Sequence, residues 1–404
     1  MKRIFIFILV VIIISAYSYC QNVNDLIRTA YDLVNNREYK KCLEVCNKAL
    51  EINPNSGEVY FILGYVKSNM KKHKECIADY DQAIKLGFNS AWVYNNRGWE
   101  YFLINNFEAA EKDFNIAIEI DSTNVNAWIN TCTLKTGKRD FKGALETINL
   151  AINSVKNNIA LYLKRSTLYS FTKEYDLSEK DALKVLEIDS TNLDGYHALN
   201  ALKLLKKDLN GSLTLLDSAL NKFPSLYNLY KLRSKTKELM NNDLGAVLDL
   251  NYYIKINQND DEAYYLRSTY KQKLKDFNAS IIDINKAISL YPQGYYFSQR
   301  ARIYSELSDT LNELYDLNKA IELSHSAWEY LERGRFYQKQ KNYIEALDDF
   351  NTAIKLKSYD GYLYFERGHL KLTLEDKDGA CNDFRKALEY GWNDAKYDLD
   401  KNCK

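Results

Sequence analysis

Proline is nearly missing from this chain, with three residues in 404, and glycine is held to 15. Both break helices, so their scarcity is what an almost wholly helical chain shows, and no Pro/Gly/Ser-rich linker or low-complexity tract divides it. An excess of basic charge is also absent. Without residues 1–20, which carry Lys2, Arg3 and no acid, the balance of 55 Lys+Arg to 54 Asp+Glu falls to 53 against 54. A nucleic-acid binder needs a basic stripe to neutralise phosphates, and anionic lipid calls for a basic cluster, so neither partner is expected. The four histidines, His73, His197, His325 and His369, are far apart, and there is no H-E-x-x-H, nucleophile elbow or phosphate-cradling glycine loop. Catalysis needs converging groups in one site, so the sequence reads as non-enzymatic and free of cofactors.

The one long apolar run, residues 4–14, follows Lys2 and Arg3 and falls short of the ~20 residues of a membrane-spanning helix. It reads as a signal peptide over residues 1–20, cut after Ser18 or after Cys20, with export to the periplasm or the exterior and no membrane span after cleavage. Lipid anchoring through Cys20 is disfavoured, because Tyr17 and Tyr19 stand where a bacterial lipobox has leucine and a small residue.

What is abundant is repetition. Ala49, Ala83, Ala117, Ala151, Ala219, Ala287, Ala353 and Ala387 fall on one 34-residue ruler, with Val185 and Tyr253 on two other rungs and Ala320 one residue off. Eleven repeats begin near residues 23, 57, 91, 125, 159, 193, 227, 261, 294, 327 and 361, so residues 21–393 read as one continuous stack of units. The spacing from ladder alanine to the next leading aromatic is eleven from Ala83 to Tyr94 but ten from Ala287 to Phe297 and from Ala320 to Tyr330. The missing residue therefore lies between repeats, and a local change in stacking is expected around residues 290–330. In the third repeat, Tyr94-x-x-Arg97-Gly98-x-x-Tyr101 precedes Ala110-x-x-x-Phe114 and Ala117; the tenth has Tyr330, Arg333, Gly334, Tyr337, Ala346, Phe350 and Ala353 in the same places. These spacings put each set on one face of a helix, so each repeat reads as two helices in close approach.

Seven first helices carry arginine at one position, and each has aspartate sixteen residues later: Arg97 with Asp113, Arg165 with Asp181, Arg233 with Asp249, Arg267 with Asp283, Arg300 with Asp316, Arg333 with Asp349 and Arg367 with Asp383. Of the four repeats without the arginine only one keeps the acid, Asp79. This covariation inside one chain points to a salt bridge between the two helices of each repeat, and a paired arginine is a poorer candidate for a ligand-binding ladder.

The pattern resembles the tetratricopeptide repeat, whose signature is an aromatic, Leu-Gly, Tyr, then Ala, Phe, Ala and a closing Pro. All three prolines, Pro54, Pro224 and Pro292, take the closing position. Departures include Cys132 for the glycine, Ser178 and Ala182 for Ala and Phe, and Tyr253 on the ladder. The resemblance implies an all-α, right-handed superhelical solenoid of about eleven helix-turn-helix units, and leaves no segment large enough for a catalytic domain. It also implies that first helices line a concave face that binds protein or peptide partners. On this chain those positions place Phe61, Ile62, Tyr65, Asn95, Asn96, Trp99, Phe102, Asn126, Ile129 and Asn130 on the inner wall of repeats two to four. The expected function is an exported protein-interaction scaffold; a glycan-binding solenoid and a noncatalytic subunit of an envelope enzyme complex are the alternatives.

Residues 394–402 form a short amphipathic stretch that suits a capping helix within a 394–404 tail, and Cys381 and Cys403 are the best disulfide pair to hold it. Cys42, Cys46 and Cys76 occupy core positions of the pattern and lack a C-x-x-C knuckle, so even with His73 nearby no metal site is expected. Cys132 reads as buried and inert.

Overall fold

The computed structural model describes residues 23–403. The proposed leader over residues 1–20, with Cys20, lies outside the described residues. Every regular element among the described residues is a helix: a run over residues 23–35, then twenty-two helices from Tyr39–Ile52 to Ala395–Asn402. All but the last pair as hairpins, which makes eleven repeats. After the run that opens at residue 23, first helices begin at Gly57, Ala91, Val125, Ile159, Leu193, Asn228, Asp261, Gly294, Ala327 and Gly361. Contacts divide the chain into two compact halves, one ending at Leu202 and the other starting at Lys203.

Each hairpin turns through a left-handed residue. Eleven such residues recur once per repeat, from Arg37 (φ 59°) to Glu375 (φ 64°), and none is glycine. The conformation lets the amides beyond the helix end reach back to its last carbonyls: Lys71 N–H donates to Ser68 O at 2.9 Å and Lys72 N–H to Lys67 O at 3.0 Å. In many repeats the next residue is an aspartate or asparagine that caps the second helix. Asn106 accepts from the amide of Ala109, and Asp140 and Asp208 accept from Gly143 and Gly211.

The two helices meet where a small residue of the first faces a ring of the second. A Cβ placed on Gly98 would lie 2.8 Å from the Phe114 ring, and one on Gly334 would lie 2.6 Å from Phe350. The ladder alanines are buried on the other side of that contact, with Ala83, Ala117, Ala151, Ala287, Ala320, Ala353 and Ala387 fully inaccessible. Each removes little surface alone; the gain lies in letting larger neighbours such as Tyr80, Phe114, Phe350 and Phe384 bury completely.

The links between repeats account for the ruler's slips. Asp121–Asn124, a four-residue link, joins the helices Phe107–Ile120 and Val125–Gly137. Only three residues follow Phe277–Leu290, and only His325 and Ser326 follow Thr310–Ser324, with His325 left-handed at φ 46°. At the C-terminal end the helix Ala395–Asn402 lies on the last repeat, with Ala395 fully buried and Trp392, Leu399 and Cys403 packed on the same core. Cys381 and Cys403 form a disulfide with Cα atoms 5.6 Å apart. Cys42, Cys46, Cys76 and Cys132 are free and buried.

Candidate functional site

The arginine positions come first because they decide which charges face solvent. Arg97 donates from Nε and Nη2 to both oxygens of Asp113 at 2.7 Å each, while Nη1 donates to Asp81 at 2.7 Å. Asp81 belongs to the preceding repeat. The same fork joins Arg165 to Asp181, Arg233 to Asp249, Arg267 to Asp283, Arg300 to Asp316, Arg333 to Asp349 and Arg367 to Asp383 at 2.5–2.9 Å. Their third donors reach Asn149, Asp217, Asn251, Asn285, Asn318 and Asn351 of the preceding repeats at 2.5–2.8 Å. Hydrogen bonds to Asp349 hold the Arg333 guanidinium above the ordinary arginine range against the opposing effect of burial. The seven aspartates are at most 4% exposed, so these are planar bidentate pairs shielded from water.

Tyr94 and Tyr101 flank Arg97 with ring centroids 5.5 and 5.9 Å from its guanidinium carbon, and most of the other arginines have similar neighbours. Asp79, which has no arginine, is paired instead with Lys67 at 2.7 Å. With their donors engaged in this way, the arginines are poorly placed to serve as a ligand ladder.

In the N-terminal half, two adjoining concavities open along first helices. The larger, about 650 Å³, is lined by Tyr31, Val34, Asn35, Phe61, Ile62, Tyr65, Trp92, Asn96 and Asn126. The smaller, about 340 Å³, shares Tyr65, Asn96 and Asn126 with it and adds Ser68, Asn69, Tyr80, Asn95, Trp99, Glu100 and Asn130. They form one groove. Phe102 and Ile129 line neither concavity; the Phe102 ring stacks on that of Trp99 with centroids 5.1 Å apart. Ile62 and Asn95 are 1% and 4% exposed and contribute backing more than contact.

The amides interlock, with Asn130 donating to Asn95 at 2.9 Å and Asn95 to Asn96 at 3.2 Å. Glu100 is buried in the floor and accepts from Ser68 Oγ at 2.6 Å, with His73 Nδ1 at 2.7 Å from its second oxygen. Burial, with Glu100 close by, pushes the Cys76 thiol up, so it is a poor nucleophile. Tyr65 and Trp92 are 39% and 53% exposed and present open ring faces. The groove thus offers rings and amides, with its one buried acid already hydrogen-bonded.

Tyr31, Val34, Asn35 and Trp92 were not among the sequence candidates. Tyr31, Tyr65 and Trp99 stand 34 residues apart and Trp92 stands 34 before Asn126, so the ruler that framed the repeats carries the signal. The first repeat hides it, because Cys42 and Cys46 replace the alanine and phenylalanine that make its register visible.

Stacked helical hairpins whose first helices line an open groove define a helical-repeat protein. Family patterns described as the tetratricopeptide repeat match residues 45–78, 91–124, 261–293, 330–360 and 362–390, so these segments are tetratricopeptide repeats. Proteins of this family are generally protein-interaction scaffolds. No curated protein matches the sequence. Among solved structures, yeast Tom70 aligns over 95% of this chain and 96% of its own at 14% identity, with a TM-score of 0.51. A chain of the APC/C hetero-tetramer Cut9-Hcn1 gives 0.47 at 12% identity over 93% and 95%. A tetratricopeptide repeat protein from Parabacteroides merdae gives 0.45 at 17% identity over 70% of this chain and 99% of its own. At such identities the likeness concerns the fold.

Proposed function

We propose that the protein is an exported, noncatalytic scaffold that takes an extended protein segment into the groove of its N-terminal half. The observation that carries this reading is the groove's make-up: open ring faces at Tyr65 and Trp92 beside an asparagine row, with no unpaired charge aimed into it. Side-chain amides hydrogen-bond a peptide backbone whatever its sequence, and rigid aromatic rings bury area at little entropic cost. Export is supported by the apolar run near the N-terminus and by the Cys381–Cys403 disulfide, which suits an oxidising compartment.

A peptide array and a glycan array, probed in parallel with the mature chain, separate the two ligand classes that rings and amides suit. Selection of peptides is expected, with Tyr65→Ala and Trp99→Ala each weakening binding by about tenfold or more. Saturable binding to glycans alone would replace this reading. N-terminal sequencing of the protein recovered from the cell envelope or medium should begin at Tyr19 or Gln21; recovery with Met1 in place argues against export.

A further inference from the structure

Each second helix turns one side to solvent, and in many repeats that side is charged. At the sixth residue of this helix the third, fourth, fifth and tenth repeats carry Lys112, Glu146, Lys180 and Asp348. The seventh, eighth and ninth carry Leu248, Ile282 and Tyr315 there, which are 56–69% exposed. At the second residue, Lys74, Glu108, Lys142 and Asp176 of the second to fifth repeats give way to Leu244, Leu311 and Ile344 of the seventh, ninth and tenth. Leu311 and Ile344 are each 84% exposed. On the helix Asp243–Ile256, Tyr252 and Ile256 continue the row from Leu248 at intervals of one turn, and both are exposed.

These helices lie side by side. Arg267 joins Asn251 of Asp243–Ile256 to Asp283 of Phe277–Leu290, and Arg300 joins Asn285 of that second helix to Asp316 of Thr310–Ser324. Arg333 in turn joins Asn318 to Asp349 of Tyr343–Leu356. One register on adjacent helices makes one patch, and all of it belongs to the C-terminal half. Its side chains leave on the order of 1,000 Å² open, against about 800 Å² per partner in a standard interface and roughly 300–600 Å² for the largest apolar patch of a typical monomer. The patch is therefore large enough for a stable dimer.

The charges at its rim decide the occupant. Lys255 stands near the C-terminal end of its helix in the seventh repeat, whereas Glu345 and Asp348 stand near the start of theirs in the tenth, and all three are exposed. Opposite signs thus occupy diagonally opposite corners. A half-turn about an axis normal to the patch exchanges those corners, so a second copy brings its acids to Lys255 and its Ile344 towards Ile256. Acids on the rim also disfavour an anionic lipid surface. We propose that this patch is a two-fold interface between two copies of the chain, with the leucine, isoleucine and tyrosine side chains at its centre and Lys255 of each copy beside Glu345 and Asp348 of the other. The groove of the N-terminal half is built from other repeats, so the dimer stands or falls independently of the scaffold reading.

Sedimentation velocity of the full mature chain should show a reversible monomer–dimer equilibrium with a Kd of about 10 μM or tighter. Ile282→Glu and Leu248→Glu change exposed side chains, so each should keep the helical circular dichroism of the parent and weaken dimerisation at least about tenfold. Lys255→Glu should weaken it as well, and so should Glu345→Lys/Asp348→Lys. A chain carrying all three charge changes should recover the dimer, because every altered corner again meets its opposite; an unspecific apolar association has no reason to respond to the swap. A monomer at every accessible concentration, a dimer indifferent to Ile282→Glu, or a triple variant no tighter than Lys255→Glu alone would overturn the proposal. Cosedimentation of a monomeric chain with phosphatidylglycerol vesicles would overturn it too, by assigning the patch to lipid.

Discussion

Arg333 shows how one side chain can serve two repeats. Its forked bonds to Asp349 close its own hairpin, and its bond to Asn318 ties that hairpin to the one before. Arg333→Leu leaves a carboxylate 2% exposed and uncompensated, and should cost about 3 kcal/mol in denaturant unfolding. Adding Asp349→Leu should recover much of that loss; equal destabilisation of the single and double variants would show that the pair has no energetic coupling. The aspartate was legible because it recurs sixteen residues after every arginine of the series. The acceptor in the preceding repeat was not, because it alternates between Asp and Asn and its spacing falls to fifteen for Asn285 and Asn318, where the links are short.

Glu313 makes a pH prediction. Burial raises its folded pKa above the unfolded value, so its contribution to stability is fully present below the ordinary glutamate pKa of about 4.3 and is lost as pH rises through the folded value. Glu313→Ala should therefore gain stability over the parent on going from about pH 4 to about pH 8. A constant difference across that range would show that the carboxyl titrates alike in both states.

At the scale of elements, the left-handed turn is where the hairpins carry avoidable strain. Lys275 holds φ at 63°, and Lys275→Gly should stabilise by about 0.5–1 kcal/mol, the relief of the side-chain clash less the extra chain entropy of glycine. A loss of stability in chemical denaturation would mean that the lysine side chain makes a compensating contact. The final helix depends on a covalent tie across 22 residues of sequence, so Cys403→Ser should lower the stability of the C-terminal end by about 2–4 kcal/mol. Hydrogen exchange across Ala395–Asn402 is the direct readout, with unchanged protection as the contrary result. Helices and hairpins were readable because the alanine ladder marks close approach directly. The groove was only partly readable: ring and amide positions follow the same ruler, yet which of them are exposed depends on neighbours such as the ring of Phe102 stacked on Trp99.

For the whole molecule, each repeat touches chiefly its sequence neighbours, so stability is a sum of hairpin and junction terms and cooperativity has a finite reach. Leu199 stands where seven repeats carry arginine, and the division between the two compact halves falls three residues later. Tryptophan reports on both halves, with Trp92, Trp99 and Trp128 before the division and Trp328 and Trp392 after it. Guanidinium unfolding followed in Trp328→Phe/Trp392→Phe, and then in the triple Trp92→Phe/Trp99→Phe/Trp128→Phe, should give distinct midpoints. Superimposable two-state curves would show one cooperative body. The arginine bonds also give the stack a direction in time. Each guanidinium reaches back to an Asp or Asn that leaves the ribosome earlier and then waits sixteen residues for its own aspartate, so every new hairpin can dock on a finished surface as synthesis proceeds. At the matching position of the repeat that opens at Gly361 stands Arg385, a side chain that cannot accept such a bond.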